Sequence, residues 1–473
     1  MPGFTSGENK HELKQLLQQY RDLRDGLSHS FLDEDSFEII INYFDEKDRL
    51  SSALEAAETG IEQHPYSAVL LFRKADLLIA SQRYKEALQV LDRASVLDSN
   101  DINLYILRTD ALLALDKPDK AAGILNEALN IFEGEEKLDL LFELADVYDD
   151  YEDFDKVFDC LVMVLEQDPE NEEALYKICF WTDFTGRNEE SITLHKKIID
   201  EYPYNELAWF NLASALQGLK LYEKAIDAYK YALVIDEKFD YAYRNMGDAY
   251  IRLRKYREAI ESLEKVLELS RPEDVIFEAI GHCYDRMKNY AQARFYYRKA
   301  AHLNPDNSRM YYKMACTYMN ERQWRSAVKQ LETALKIHRN QAEYHQAMAE
   351  CYSALEDYRE AVNYYTAALY VRPKSYRTWQ SFIRCLYEGG YYEEAYEQVN
   401  NALTNAGRKP VFLFYLAVIL FAINRPKEAL LQLEHAMETS PSSFKHLLEL
   451  EPSLIRHQQV VDVVARYKKS GRK

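Results

Sequence analysis

The sequence has few of the residues that interrupt regular structure. Its 473 residues include 14 glycines and 12 prolines, and no stretch is rich in either of them. Six cysteines are scattered along the chain without a CxxC pair. We therefore expect neither long linkers nor low-complexity segments, and the cysteine spacing does not indicate a disulfide framework.

Long apolar runs and a basic leader are missing as well. The longest apolar run ends at Ile423 and is shorter than the roughly 20 residues that a membrane-spanning helix needs. Residues 1–10 are polar and include Glu8, which does not fit a secretory signal. We therefore expect a cytoplasmic protein that is not inserted into a membrane.

The sequence motifs of common enzymes are also missing. The chain has no GxxxxGKS or GxxxxGKT, no GxGxxG, no HExxH and no GxSxG. Its eleven histidines are dispersed, and the acidic run at residues 146–155 is more typical of a solvated face than of paired catalytic carboxylates. We predict that the protein is not an enzyme and needs neither a metal ion nor a cofactor.

Positive charge is scarce in the first part of the chain. The whole sequence carries a formal charge of −19, which disfavours binding to nucleic acid through phosphate contacts. Residues 1–205 hold 20 Lys and Arg against 45 Asp and Glu, a net charge of −25, whereas residues 206–473 hold 39 against 33, a net charge of +6. Two interpretations of the acidic half stay open, namely a binding surface or a means of keeping the protein soluble.

What the chain does contain is a repeated pattern of paired amphipathic helices, which the stretch Glu206–Phe239 shows clearly. Apolar residues recur three to four positions apart on both sides of the polar break Gln217–Lys220, which predicts helix–turn–helix. They are Trp209, Leu212, Ala213 and Leu216 before the break, and Tyr222, Ala225, Ile226, Tyr229 and Ala232 after it.

This pattern returns every 34 residues, with one step lengthened by two residues within 133–137. Position 20 is alanine in ten of the twelve units, with Val157 and Ser191 as exceptions, as expected where two helices cross too closely for a larger side chain. Proline stands at position 32 in six units, where the second helix must stop. The units start at Glu34, Ala68, Ile102, Leu138, Glu172, Glu206, Asp240, Asp274, Ser308, Ala342, Tyr376 and Pro410.

The pattern resembles the tetratricopeptide repeat, a 34-residue helix–turn–helix unit. The resemblance covers nearly the whole chain and implies an all-α fold, a right-handed α-solenoid. We expect an N-terminal tail and capping helix at residues 1–33, twelve repeats at 34–443, and C-terminal capping helices with a basic tail at 444–473. Residues 1–9 are expected to be disordered. A helix over residues 10–27 either caps the first repeat or binds a partner.

In this family the first helices of the repeats line a concave groove, and positions 2, 5, 9, 12 and 13 face into it. The resemblance therefore implies a non-catalytic scaffold or adaptor that holds a peptide or helical segment of another protein. Two alternatives stay open: an architectural subunit of a homo-oligomer or larger complex, and a targeting subunit for an enzyme on another chain. The sequence determines neither the identity of the partner nor the oligomeric state.

Applied to this chain, the rule gives three zones. An acidic zone, in the first repeats, contains Asp76, Asp110, Asp146 and Asp149. A basic zone, expected to bind an acidic segment, contains Tyr241, Arg244, Arg252, Arg286, Arg309, Tyr312, Lys313, Arg377 and Arg384. An apolar zone contains Val411, Phe414, Val418 and Phe421. Asp248, Glu278 and Asp285 are possible internal partners of the arginines, and either the C-terminal tail or a partner should cover the apolar zone.

Overall fold

The computed structural model describes residues 7–470, with side chains described for residues 13–467. These residues form 27 α-helices and two short 3-10 helices, without a β-strand. Two compact units divide the chain, residues 1–242 (unit 1) and residues 243–473 (unit 2). The disorder expected for residues 1–9 lies mostly outside the described residues, although the first helix begins at Gly7.

After the opening helix α1 (Gly7–Arg24), the chain forms twelve helix–turn–helix pairs, which confirms the all-α solenoid fold. The first helices are α2 (Glu34–Asp45), α4 (Ala68–Ala80), α6 (Ile102–Leu113), α8 (Glu135–Asp150), α10 (Glu172–Thr185), α12 (Glu206–Gly218), α14 (Asp240–Arg252), α16 (Asp274–Arg286), α18 (Ser308–Asn320), α20 (Ala342–Ala354), α22 (Tyr376–Glu388) and α24 (Pro410–Ala422). The boundary between the two units falls within α14. The right-handed course of the solenoid stays a prediction.

The second helices follow after turns of two to four residues. They are α3 (Leu50–Gln63), α5 (Tyr84–Leu97), α7 (Pro118–Ala128), α9 (Phe154–Gln167), α11 (Asn188–Glu201), α13 (Tyr222–Ile235), α15 (Tyr256–Leu269), α17 (Tyr290–Leu303), α19 (Trp324–Ile337), α21 (Tyr358–Val371), α23 (Tyr392–Asn405) and α25 (Pro426–Thr439). Two 3-10 helices (Pro441–Phe444 and Pro452–Arg456) and the helices α26 (Lys445–Leu450) and α27 (Gln458–Ser470) complete the chain.

Eleven first helices begin at the residue from which the sequence pattern counts the repeat, and α8 begins three residues earlier, at Glu135 rather than Leu138. Short polar side chains fix several of these starts. Asn171 accepts a hydrogen bond from the backbone N–H of Ala174, and Asn205 accepts one from Ala208. Such caps pair backbone donors that the helix itself leaves unsatisfied, which is why a polar residue precedes the apolar run.

The alanines at position 20 lie where the two helices of each pair meet. All ten of them have no solvent-exposed surface. The larger Val157 and Ser191 at the same position are also buried, at 2% and 1% exposure. Because a buried side chain at the crossing must fit between the two helices, its size limits how closely the paired helices approach.

Position 15 of every repeat has a left-handed backbone conformation. The residue is glycine in two repeats, Gly186 and Gly390, and a residue with a side chain in the other ten, where φ lies between 53° and 62°. This conformation turns the chain so that the N–H of the next residue donates to a carbonyl near the end of the first helix. Lys255 N–H, for example, donates to the Tyr250 carbonyl at 2.9 Å. A residue with a side chain is strained in this backbone conformation by roughly 1–2 kcal/mol, so each such turn lowers the stability of its own helix pair.

In the fifth repeat, Ser191 joins a small buried polar cluster. Thr182 Oγ1 lies 3.1 Å from Ser191 Oγ, and His195 Nδ1 lies 2.7 Å from the Ser191 carbonyl oxygen, to which it donates. His195 Nε2 is buried without a hydrogen-bond partner among the described residues. Burial of the ring lowers the pKa of His195 to about 4, so the imidazole is neutral at physiological pH.

At the N-terminal end, α1 packs on the first repeat. Leu17 and Tyr20 are 7% and 1% exposed, and the Tyr20 ring centroid lies 6.0 Å from that of Phe44 on α2. Because this contact covers apolar side chains of α2, α1 has the packing that a capping helix requires.

The strained turns predict that glycine stabilises the chain at position 15. Arg254→Gly should raise the free energy of unfolding by about 0.5–1 kcal/mol, because strain relief exceeds the added entropy of the unfolded chain. Gly390→Ala is the matched opposite change, since a Cβ built there meets no atom within 4 Å and only the backbone conformation penalises it. It should lower the free energy of unfolding by about 1 kcal/mol. Urea denaturation measures both, and the same sign for both variants would contradict this account.

The buried histidine predicts a specific pH dependence. Between pH 6.5 and about 4, His195 binds a proton in the unfolded chain but stays neutral in the folded protein. The free energy of unfolding therefore falls as the pH falls through this window. The loss from this residue approaches about 3 kcal/mol at the acid end. His195→Leu removes this dependence but keeps every other titration. The difference in urea-unfolding free energy between wild type and variant should shift steadily from pH 7 to pH 4.5, and parallel curves would show that folded His195 protonates freely.

Candidate binding face

The first helices of neighbouring repeats lie side by side within each unit. In unit 1, α2 contacts α4, α4 contacts α6, α6 contacts α8, and α10 contacts α12. Lys177 on α10 connects to α8, since its Nζ lies 3.9 Å from Asp146 Oδ1. The side chains at positions 2, 5, 9, 12 and 13 of these helices form a surface that we call the first-helix face.

In unit 2, the apolar zone on α24 is buried. Val411, Phe414 and Val418 expose 6%, 0% and 1% of their surface, and Phe421 is half-buried against the same core. These side chains are therefore not available to a partner. Of the two covers considered from the sequence, the structure has the chain's own C-terminal segment.

The covering segment makes both apolar and polar contacts. The ring of Phe444 packs edge-on against Phe414 with centroids 6.3 Å apart, and His457 lies 5.4 Å from the ring of Phe421. Tyr387 Oη donates to Glu451 Oε2 at 2.9 Å, which ties α22 to the loop after α26. A helix that is apolar on all sides, as α24 is, needs a cover of this kind.

The positive charges of the basic zone are largely paired within the protein. Four of its members form ion pairs with nearby carboxylates: Arg244 with Glu273 at 2.7 Å, Arg252 with Asp248 at 3.5 Å, Lys313 with Glu278 at 2.5 Å, and Arg384 with Glu388 at 3.8 Å. Asp248 and Glu278 are two of the internal partners considered from the sequence. The zone therefore attracts an acidic segment less than its count of arginines suggests.

The other members of the basic zone differ in how far they are engaged. Arg286 Nε donates to Tyr256 Oη at 3.3 Å, and Arg377 Nε donates to Tyr376 Oη at 3.4 Å. The Tyr312 ring stacks on Tyr344, with centroids 5.0 Å apart. Arg309 on α18 and Tyr241 on α14 are exposed, the latter by 58%. The basic zone is therefore only partly engaged in contacts within the protein, and its use as a binding surface stays a prediction.

The acidic zone has the opposite character, because its carboxylates have few cations near them. Burial raises the pKa of Asp110, and repulsion from Asp76 is the second, smaller cause of the rise. Burial also raises the pKa of Asp76, against the opposing influence of Arg73 at 3.9 Å. Asp146 and Asp149 on α8 are exposed. This part of the first-helix face is therefore strongly negative and keeps its carboxylates close together.

The fifth repeat adds a set of aromatic residues that the sequence interpretation missed. Tyr176, Phe180 and Phe184 occupy positions 5, 9 and 13 of α10 and are 60%, 60% and 57% exposed. Their spacing of four residues places them on one stripe of the helix. The signal was present, since the groove positions that define the three zones also select these residues. At the same positions of α24, the apolar residues 414, 418 and 422 lie under the C-terminal segment or at its edge.

Phe180 and Phe184 contact other aromatic rings of the fourth and fifth repeats. Phe184 lies 4.7 Å from Phe154 at the start of α9, and Phe154 stacks on Trp181 at 5.3 Å. Phe180 lies 4.9 Å from Trp181 and 5.9 Å from Phe184. Rings that are already fixed by their neighbours lose little conformational freedom when they contact another molecule. We call Tyr176, Phe180 and Phe184 the aromatic stripe.

Metal-ligating and nucleophilic side chains are the chemically reactive groups of the chain. No group of three or more His, Cys, Asp or Glu that could hold a metal ion occurs among the described residues. Burial raises the pKa of the thiols of Cys160, Cys283 and Cys351 to about 12, so they are poor nucleophiles. Across residues 7–470, no helix has both the length and the apolar character needed to pass through a bilayer.

Comparison with known families identifies the repeats. Family profiles described as tetratricopeptide repeat match residues 46–111, 207–239, 240–272, 286–351 and 342–375. Together with the helix–turn–helix pairs, these matches show that the chain contains tetratricopeptide repeats in several places. No curated protein matches the whole chain or a part of it.

Solved structures that the chain resembles are described as tetratricopeptide-repeat proteins or as parts of assemblies. YrrB, described as such a protein with an unusual peptide-binding site, is 22% identical over 38% of this chain and 93% of its own, with a TM-score of 0.34. A chain of the APC/C hetero-tetramer Cut9–Hcn1 is 11% identical over 84% and 97%, with a TM-score of 0.36. The C-terminal part of a repeat protein from Cytophaga hutchinsonii is 16% identical over 54% and 99%, with a TM-score of 0.44.

A charge introduced into the buried face of the C-terminal segment should loosen its packing over the apolar zone. Leu447 on α26 is fully buried, and Leu447→Asp should lower the free energy of unfolding by at least about 2 kcal/mol and loosen the C-terminal segment. The exposed apolar face of α24 should then bind anilinonaphthalenesulfonate. Leu431→Asp is the control, because Leu431 is 66% exposed. Equal dye fluorescence from the two variants would contradict the covering role of the segment.

Proposed function

We propose that the protein is a non-catalytic scaffold that holds a peptide or helical segment of another protein on the first-helix face of unit 1. The observation that carries this proposal is the exposure of the aromatic stripe. Three large rings on one stripe, each more than half exposed, leave apolar surface in water unless something covers it. Fixed aromatic side chains of this kind are the usual anchors of protein interfaces.

The contrast with α24 supports this choice of site. Both helices carry apolar residues at the groove positions, but only those of α24 are covered by the chain's own C-terminal segment. Among the residues that the structure describes, none covers Tyr176, Phe180 and Phe184 in this way, and the three rings remain more than half exposed. A partner segment would supply the missing cover.

The basic zone of unit 2 is a weaker candidate for the same activity. A partner carboxylate would have to displace Glu273 from Arg244 and Glu278 from Lys313 before it gained either cation. Replacing one ion pair by another yields little net free energy. Binding of an acidic segment at the basic zone therefore stays a secondary proposal.

The experiment is the selection of peptides from an unbiased display library on the wild-type chain. Binding of the selected peptides is then measured to wild type and to Phe180→Ser/Phe184→Ser. We expect peptides whose affinity for this variant falls about tenfold or more, because interface anchors cost at least that when they are truncated. The matched control is Tyr66→Ser/Tyr204→Ser, which removes two aromatic side chains of unit 1 that are each 84% exposed at position 33.

Loss of binding in the control variant as well as in the stripe variant would point to non-specific adhesion. If no selected peptide depends on Phe180 and Phe184, the aromatic stripe is not a peptide site and the proposal fails. Light scattering on the purified chain would then show whether the stripe is instead covered in a homo-oligomer, as an architectural subunit requires.

A further inference from the structure

Carboxylates accompany the aromatic stripe on α10 itself and on the adjacent first helix, α8. On α8, the groove positions 2, 9, 12 and 13 hold carboxylates, and on α10 itself positions 2 and 12 do so. These residues are Asp139, Asp146, Asp149 and Asp150 on α8, and Glu173 and Asp183 on α10. Because Lys177 on α10 contacts Asp146 and Phe142 on α8, the acids of α8 lie next to the helix that carries the rings.

One internal contact shows how this surface takes a cation. Lys177 is the lysine of α10, and its Nζ lies 2.8 Å from Glu173 Oε1 and 3.9 Å from Asp146 Oδ1. The same ammonium group lies 5.1 Å from the ring centroid of Phe142 on α8. A positive charge between two carboxylates and over an aromatic face gains from both, since the ring face is also electronegative. The surface therefore offers cation sites made of one ring and the adjacent acids.

Lys177 satisfies only part of this negative charge. Burial and the neighbouring Asp110, Asp146 and Asp139 raise the pKa of Glu143 despite the opposing influence of Lys177. Asp149 and Asp150 in the last turn of α8 and Asp183 on α10 are exposed, and Asp183 precedes Phe184 directly in the chain. Further cations would lower the repulsion among these carboxylates, whereas an acidic segment or a nucleic acid would increase it.

We propose that the aromatic stripe, together with the acids of α8 and α10, docks a short basic segment of a partner protein in which arginine or lysine alternates with apolar side chains. This inference rests on the proposed function and specifies the chemistry of the segment. The apolar side chains cover Tyr176, Phe180 and Phe184, and the cations reach Asp149, Asp150 and Asp183. From Tyr176 to Phe184 the stripe spans about 12 Å along the helix, a distance that four to eight residues cover in extended or helical form.

The test uses three fluorescent ten-residue peptides and the full chain. One alternates arginine with leucine, one alternates arginine with serine, and one alternates glutamate with leucine. Fluorescence anisotropy should give tightest binding for the arginine–leucine peptide, with each of the other two weaker by about tenfold or more, because one lacks the apolar contacts and the other the charge complementarity. Raising the salt concentration should weaken the arginine–leucine complex.

Charge-reversed variants separate the site from the overall charge of the chain. Asp149→Lys/Asp150→Lys should weaken binding of the arginine–leucine peptide by about tenfold or more. Glu62→Lys/Glu127→Lys makes the same change in net charge at exposed positions on the second helices α3 and α7, and should leave Kd within about twofold. Lysine in the last turn of α8 is compatible with the helix, so the test variant should fold.

Each outcome decides a different point. Equal binding of the two arginine peptides, or equal loss in both charge-reversed variants, would overturn the proposal by showing non-specific attraction. Selected library peptides that are acidic and still depend on Phe180 and Phe184 would keep the proposed function but overturn the basic segment. A dimer that dissociates in Asp149→Lys/Asp150→Lys would make a second copy of the chain the occupant, which also overturns a partner protein.

Discussion

The close crossing of two helices in each pair is the contact on which the rest of the structure depends. Ten alanines without exposed surface let the paired helices cross closely, and the 34-residue pattern repeats this crossing along the chain. Because each unit repeats the same contacts, a position in the repeat corresponds to a place on the surface of the array. The first-helix face, with its acidic, aromatic and basic parts, follows from this spacing.

The first helices of the two units differ in how far their apolar side chains are covered and their charges are paired. In unit 2, the chain covers its own apolar residues with α26 and the segments beside it, and it pairs several cations with carboxylates of the same helix, of a neighbouring first helix or of a loop. In unit 1, rings and carboxylates stand exposed with few cations among them. A partner gains the most binding free energy on a surface whose charges are unpaired and whose apolar side chains are uncovered within the protein.

The repeat pattern predicted the fold and the helix starts well, because helical periodicity and position-20 alanines are local properties of the sequence. The state of each face was harder to predict. Whether Phe414 or Phe180 is exposed depends on what else packs there, and only the structure shows that Phe444 covers the former. The pairing of Arg244 with Glu273 was likewise missed, since Glu273 precedes the next helix and its reach depends on loop geometry.

The left-handed turns also bear on how such an array can change over time. Each of the ten strained turn residues lowers the stability of its own helix pair. They are exposed or partly exposed, and none of them occupies a position that faces the binding surface. With a cost of about 1 kcal/mol for each turn, the chain holds a reserve of stability that single substitutions can release. Mutations that reshape the first-helix face and weaken the fold could therefore be compensated at a distant turn, so that the partner could change while the solenoid stays intact.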